Sequence, residues 1–70
     1  MSATVAQARL KDAHKGFLLR WERTREAWDD PARAQVEKEY IEPLRQRVHS
    51  ALSAMARLSE AIGQTRQQCQ

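Results

Sequence analysis

The chain has almost none of the cross-links that hold a small protein together. Its 70 residues include one cysteine, Cys69, so no intrachain disulfide can form. Beside the C-terminus, Cys69 reads as a free thiol, with an intermolecular bridge as the alternative. Chains this short bury only roughly 60% of their unfolded surface, and without disulfides they usually need a metal or association. Two glycines and two prolines leave few places to interrupt a helix. No apolar run is long enough for a transmembrane helix, so membrane insertion is not expected. The N-terminal stretch MSATVAQARLKDAHKG lacks the apolar core of a secretory signal. The expectation is a cytoplasmic chain, or one exported without a cleaved signal peptide. One-sided charge is also missing. Residues 1–35 carry seven basic and five acidic side chains, and residues 36–70 carry five and four. A dedicated nucleic-acid binder concentrates its positive charge on one face.

Alanine, glutamate, glutamine, arginine and leucine dominate, and that composition reads as all-α. Thr4, with Gln7 three residues later, has the spacing of a capping box for a first helix over about 4–28. Phe17, Trp21 and Trp28 follow at spacings of four and seven, on one stripe. Gly16 sits mid-helix, either to admit another backbone or as a tolerated defect costing roughly 1 kcal/mol. Trp28-Asp29-Asp30-Pro31 is the clearest punctuation. Proline disfavours helix at the residue before it. Asp30 then serves as N-cap and Pro31 as the first helical residue, where its missing N–H costs nothing. A turn at 29–30 forces the two helices antiparallel. The second helix runs over about 31–65, with Gly63 as a C-cap and Arg33–Glu37 and Lys38–Glu42 as supporting pairs on its exposed side. Pro43 cannot donate to the carbonyl of Glu39, so it either kinks or breaks this helix. The kink is preferred, because no turn residues flank it.

Ile41, Leu44, Val48, Ala51, Met55, Leu58 and Ile62 recur at spacings of three and four, the a/d seam of a helix packed lengthwise against others. The first helix should be about 37 Å long and the second about 48–55 Å. With the turn near residue 30, Trp21 lies near Tyr40, Phe17 near Leu44, Leu10 near Ala51 and Thr4 near Ala56. Leu58 and Ile62 then extend past the first helix. The hairpin core is expected from Leu10, Phe17, Trp21, Tyr40, Ile41, Leu44 and Val48. Association falls to Met55, Leu58 and Ile62, with Trp28 as an aromatic anchor at the turn. The expected fold class is an antiparallel two-helix hairpin with a long, Pro-kinked second helix, associating into a four-helix bundle dimer.

Sites for chemistry are sparse. His14 and His49 can approach across the hairpin, but zinc needs three or four ligands and no third is evident. Ser50 follows His49, yet adjacent helical residues face different directions. Asp29 and Asp30 form a carboxylate pair that helix capping already explains. No catalytic residue, metal site or cofactor is therefore assigned. Arg45, Arg47 and Arg57 lie in an acid-free stretch and are the candidate anion contacts of an alternative reading, a small basic nucleic-acid-associated protein. Three arginines are few beside the roughly six to ten phosphate contacts of a strong binder.

The two-helix plan and the aromatic turn at Trp28-Asp29-Asp30 resemble the WXG100 (ESAT-6-like) proteins. The stretch from Trp28 to Leu44, with Pro31, Arg33, Glu37, Glu39, Tyr40 and Pro43, also looks like small bacterial hairpin proteins of that kind. The resemblance implies homo- or heterodimers of helical hairpins, type VII-like export without a cleaved signal peptide, and an FtsK/SpoIIIE-type ATPase as partner. Asp30 stands where that family has glycine, and the tail from Gln64 to Gln70 lacks the tyrosine of its export signal. What carries over is the dimeric hairpin more than export. The functional expectation is thus a non-enzymatic protein–protein interaction module, a homodimer or a heterodimer with a related helical protein. An assembly subunit that folds only on a larger complex is a further alternative.

Overall fold

Long-chain helix formers and alanine fill Ala3–Arg23, which is α1. A 3₁₀ turn over Thr24–Glu26 tightens its end. The N–H groups of Ala27 and Trp28 both donate to the Thr24 carbonyl, at 3.1 and 2.9 Å, so orphan acceptors of the last turn find local donors. The chain then reverses and re-enters helix at Pro31. The computed structural model describes residues 3–68; Cys69 lies outside them.

The second arm is one continuous rod: α2 (Pro31–Val36), a π-turn (Glu37–Ile41) and α3 (Glu42–Gln68). Pro43 does not break it. The adjustment occurs in the turn before the proline, where the Glu42 N–H reaches back five residues to the Glu37 carbonyl. Widening the helix there absorbs the donor that Pro43 lacks. The helix also continues through Gly63, which has no positive φ and caps nothing. At the other end Thr4 lies inside α1 rather than capping it. Its hydroxyl is 3.4 Å from that of Ser59.

The two arms form an antiparallel helical hairpin. Ala3, Gln7, Leu10, His14 and Trp21 are the partly covered line of α1, and Val48, Leu52, Met55 and Ser59 that of α3. Thr4 faces Ser59 rather than Ala56, so α3 sits about one turn further along than expected. The π-turn contributes to this offset, because it inserts a residue into the second arm. Leu58 consequently lies alongside the first turn of α1. Of the two residues expected to overhang, Ile62 alone lies beyond Ala3.

Among the described residues Ile41 is the one buried apolar side chain, at 6% exposure. The expected core is corrected at three positions. Tyr40 is 66% exposed, because the π-turn points Ile41 inward and its neighbour must face out. Phe17 and Leu44 are also exposed. The contact line runs between Phe17 and Leu18 on α1 and between Leu44 and the next residue on α3, leaving both on a flank. Leu10, Trp21, Ile41 and Val48 do lie on the inner line.

The molecule measures 59 × 18 × 10 Å across its Cα atoms. It is one layer of helices, whereas stable domains are usually built from two.

Ile41→Ala should cost about 2–5 kcal/mol in urea denaturation, and Tyr40→Ala within about 0.5 kcal/mol. Equal losses would contradict this core. A Cβ added at Gly16 meets nothing within 4 Å. Gly16→Ala should therefore stabilise by about 0.5–1 kcal/mol, and a loss would mean that the site needs glycine.

Candidate functional site

Two features stand out, a polar lock at the turn and an apolar broad face along the hairpin.

The lock centres on Arg33, the most buried side chain described, at 2% exposure. Asp30 sets it in place. Its extended backbone (φ −129°, ψ 177°) starts the second arm, and its carboxylate accepts from the Arg33 N–H at 3.1 Å. The same Oδ1 accepts from the Trp28 indole N–H at 2.9 Å. Arg33 then reaches back across the turn. Its Nη2 donates to the Trp21 carbonyl at 2.7 Å and to the Thr24 hydroxyl at 3.3 Å. The Thr24 hydroxyl in turn donates to the Trp21 carbonyl at 2.6 Å. The guanidinium carbon lies 4.3 Å from the centre of the Trp21 ring, and Trp28 meets that ring edge-on, with centroids 6.1 Å apart and planes at 88°.

A buried guanidinium needs compensation for lost water. Here it comes from the electronegative C-terminal end of α1, the Trp21 π-face and the Glu37 carboxylate at 4.0 Å. The Arg33–Glu37 pair expected on the exposed side is therefore present, but its arginine is inside. Trp28, expected as an association anchor, has its N–H engaged by Asp30 and its ring against Trp21. Sequence reasoning missed Arg33 as the centre. An arginine three residues after an N-cap aspartate looks like any helix-surface charge until the other arm is placed beside it.

The hairpin has two broad faces. One carries a cleft lined by Lys11, His14, Lys15, Leu18, Leu19, Glu22 and Arg45. Leu18 and Arg45 meet on this side. Phe17 and Leu44 each precede one of them by a residue, about 100° round the helix. With the contact line between, both emerge on the opposite face. Continuing at spacings of three, four and seven, that face gathers Ala6, Ala13, Phe17 and Arg20 from α1, and Leu44, Arg47, Ala51, Ala54, Leu58 and Ile62 from α3. Leu44, Leu58 and Ile62 are all exposed there. Of the expected association residues, Leu58 and Ile62 thus stand on this face. Met55 is half covered in the seam.

No family model, curated protein or solved structure matches this chain. The geometry therefore carries the functional reading.

The other candidates separate. Arg45 is bonded to Glu42 at 3.3 Å in the polar cleft, while Arg47 borders a different groove with Pro43, Gln46 and Ser50. Arg57, twelve residues after Arg45, lies about a third of a turn from it. The three point in different directions and make no common stripe. His14 and His49 lie at the same level of the hairpin, the first partly covered and the second exposed. Among the described residues no group of three or more His, Cys, Asp or Glu is placed to hold a metal, and no helix is long and apolar enough to cross a membrane. Three buried nitrogens, His14 Nε2, Trp21 Nε1 and Arg33 Nε, have no hydrogen-bond partner. Such groups cost about 1–3 kcal/mol each and weaken a thin seam.

Arg33→Ala should destabilise the chain by about 2–4 kcal/mol, and Arg33→Lys by about 1–2 kcal/mol, because lysine keeps the charge but not the planar fork. Thermal denaturation checks both, and a neutral Arg33→Lys would refute the stacked, fork-shaped contact.

Proposed function

We propose that this chain is a non-enzymatic helical association module whose apolar broad face docks against another helical surface. The observation that carries this reading is the mismatch between what the hairpin covers and what it presents. Ile41 alone is buried among the described apolar side chains, while Phe17, Leu44, Leu58 and Ile62 stand exposed and share one face. Burying one such side chain is worth about 1.5–3 kcal/mol, a large term for a chain with so little core. Large apolar side chains gathered on one exposed face of a small protein mark an interaction site. A Cα layer 10 Å thick also leaves little room for the water-excluding pocket that catalysis uses.

The WXG100-like reading, with export through an FtsK-type ATPase, belongs at this same level. The hairpin and the aromatic turn support it. Asp30 argues against it, because its carboxylate binds the Trp28 indole and the Arg33 N–H, and the glycine of that family could do neither. The nucleic-acid alternative is weakened by the divergence of Arg45, Arg47 and Arg57.

Light scattering and circular dichroism across a concentration series test the association reading. Helicity and Tm should rise with concentration, because folding and association are linked. Leu58→Asp with Ile62→Asp should lower the mass and the Tm together while leaving part of the helicity. A well-folded monomer whose Tm ignores both concentration and the double substitution would sink the idea.

A further inference from the structure

We infer that the apolar face takes a single acidic amphipathic helix of another protein, seated along the furrow between the two arms with its carboxylates on Arg20 and Arg47. This occupant deepens the association reading above and rests on it.

The face is richest near the turn. Phe17 from α1 and Leu44 from α3 are exposed there. Tyr40 joins them. It precedes the inward Ile41 by one residue, as Leu44 precedes Arg45, and so emerges on the same side. Thr4 lies opposite Ser59, and that register puts Arg20 level with Pro43 and Arg47 level with Gly16. The two arginines therefore stand on opposite arms, about 6 Å apart along the axis, with Phe17 and Leu44 between them. Aromatic rings and arginines are the residues enriched at binding hot spots.

The charge at this place has one sign. Every other arginine from Arg9 to Arg57 has a carboxylate three or four residues away in the chain, and Arg25, Arg33 and Arg45 pair with theirs. Arg20 has Gly16, Phe17, Arg23 and Thr24 at those spacings, and Arg47 has Pro43, Leu44, Ser50 and Ala51. Among the described residues neither takes part in an ion pair. The acids of the two arms point elsewhere. Glu22 lines the opposite cleft, and helical spacing turns Asp12, Glu42 and Glu60 toward that side or the back. Glu39, on the outer edge beside Tyr40, accepts from the Gln35 amide.

A partner that covers Phe17, Tyr40 and Leu44 takes water from both guanidiniums, and a buried charge needs an opposite charge in return. A carboxylate on each edge of the partner's apolar stripe supplies it, as a charge-assisted, two-pronged bond. A second copy does not. Its matching face brings arginine and no carboxylate, so like charges and unmatched guanidiniums oppose that pairing. Copies of the chain meet through the same apolar side chains only until an acidic helix displaces them.

Shape selects a helix. Two arms side by side leave one furrow over their contact line. Ala13, Ala51 and Ala54 keep its middle low, between Leu44 near the turn and Leu58 and Ile62 near the open end. A third helix laid there touches both arms over about 18 residues, or about 27 Å. It presents apolar side chains at spacings of three, four and seven.

The test uses the full chain and a fluorescein-labelled peptide of about three heptads, with leucine at a and d and glutamate at e and g. A comparison peptide carries lysine at e and g. Binding is followed by anisotropy, and circular dichroism checks the fold of each variant. The glutamate peptide should bind about tenfold more tightly or better. Arg20→Gln with Arg47→Gln should remove most of that difference. Lys11→Gln with Lys15→Gln takes the same charge from the opposite face and should change the affinity less than about threefold. Tyr40→Ala should weaken binding about tenfold and leave Tm in place. Equal affinity for the two peptides, or an equal loss on substituting Lys11 and Lys15, overturns the acidic helix as occupant. A chain that self-associates and ignores the glutamate peptide also overturns it, giving the face to a second copy with the association reading intact. A chain that ignores both peptides but sediments with phosphatidylglycerol vesicles through Arg20 and Arg47 takes a lipid surface, which overturns both. A stable monomer that binds neither peptide, with a Tm independent of concentration, likewise overturns both.

Discussion

The guanidinium of Arg33 on the ring and carbonyl of Trp21 is the contact on which the hairpin depends. Two helices touching along a single seam have little to fix the angle at which they meet. Arg33 supplies that constraint at the one point where the chain reverses. It joins the start of the second arm to the last carbonyls of the first, and it does so as a buried charge. That charge is tolerated because the end of α1 is electronegative and because the Trp21 face is presented to it. Asp30 and Trp28 complete the arrangement. Asp30 caps the second arm and holds the indole of Trp28, whose edge closes over Trp21. Four side chains within thirteen residues thus replace the core that the molecule otherwise lacks.

From this point outward the structure becomes progressively barer. Ile41, inward from the π-turn, is the last fully buried apolar contact described, and beyond it the arms meet through half-covered residues such as Leu10, Val48, Leu52 and Met55. The π-turn links these regions. It absorbs the missing donor of Pro43 and directs Ile41 to the seam and Tyr40 to solvent. The same inserted residue sets the phase of α3, and so helps decide that Leu44, Leu58 and Ile62 emerge together on one broad face. A proline that looks like a defect thereby contributes to the orientation of the apolar surface. The proposed association follows from an asymmetry between faces: one carries Lys11, Lys15, Glu22 and Arg45, the other large apolar side chains and alanines with Arg20 and Arg47 among them.

Much of this was legible in the residues. Few helix breakers, a helix-forming composition and the Trp28-Asp29-Asp30-Pro31 punctuation determined an all-α hairpin with its reversal just before Pro31. The N-cap role of Asp30 follows from local chemistry, since its carboxylate reaches an N–H only three residues away. The difference in helix length pointed to Leu58 and Ile62 overhanging the first helix; both are exposed, but Leu58 lies alongside α1 and is exposed by its direction, not by overhang. The composition, the punctuation and the cap are short-range properties, written in spacing and propensity.

Tertiary structure alone decided the rest. Which of two adjacent apolar residues faces inward, Phe17 or Leu18 and Tyr40 or Ile41, depends on the rotation of one helix against the other. A helical stripe is broader than the contact line it feeds, so periodicity cannot choose. The π-turn moved the register enough to take Tyr40 out of the core and to bring Leu58 back alongside α1. The burial of Arg33 was invisible for the same reason. Its partners Trp21 and Thr24 lie on the other arm, and a charged side chain becomes a core residue only when the fold brings it an electronegative helix end and an aromatic face.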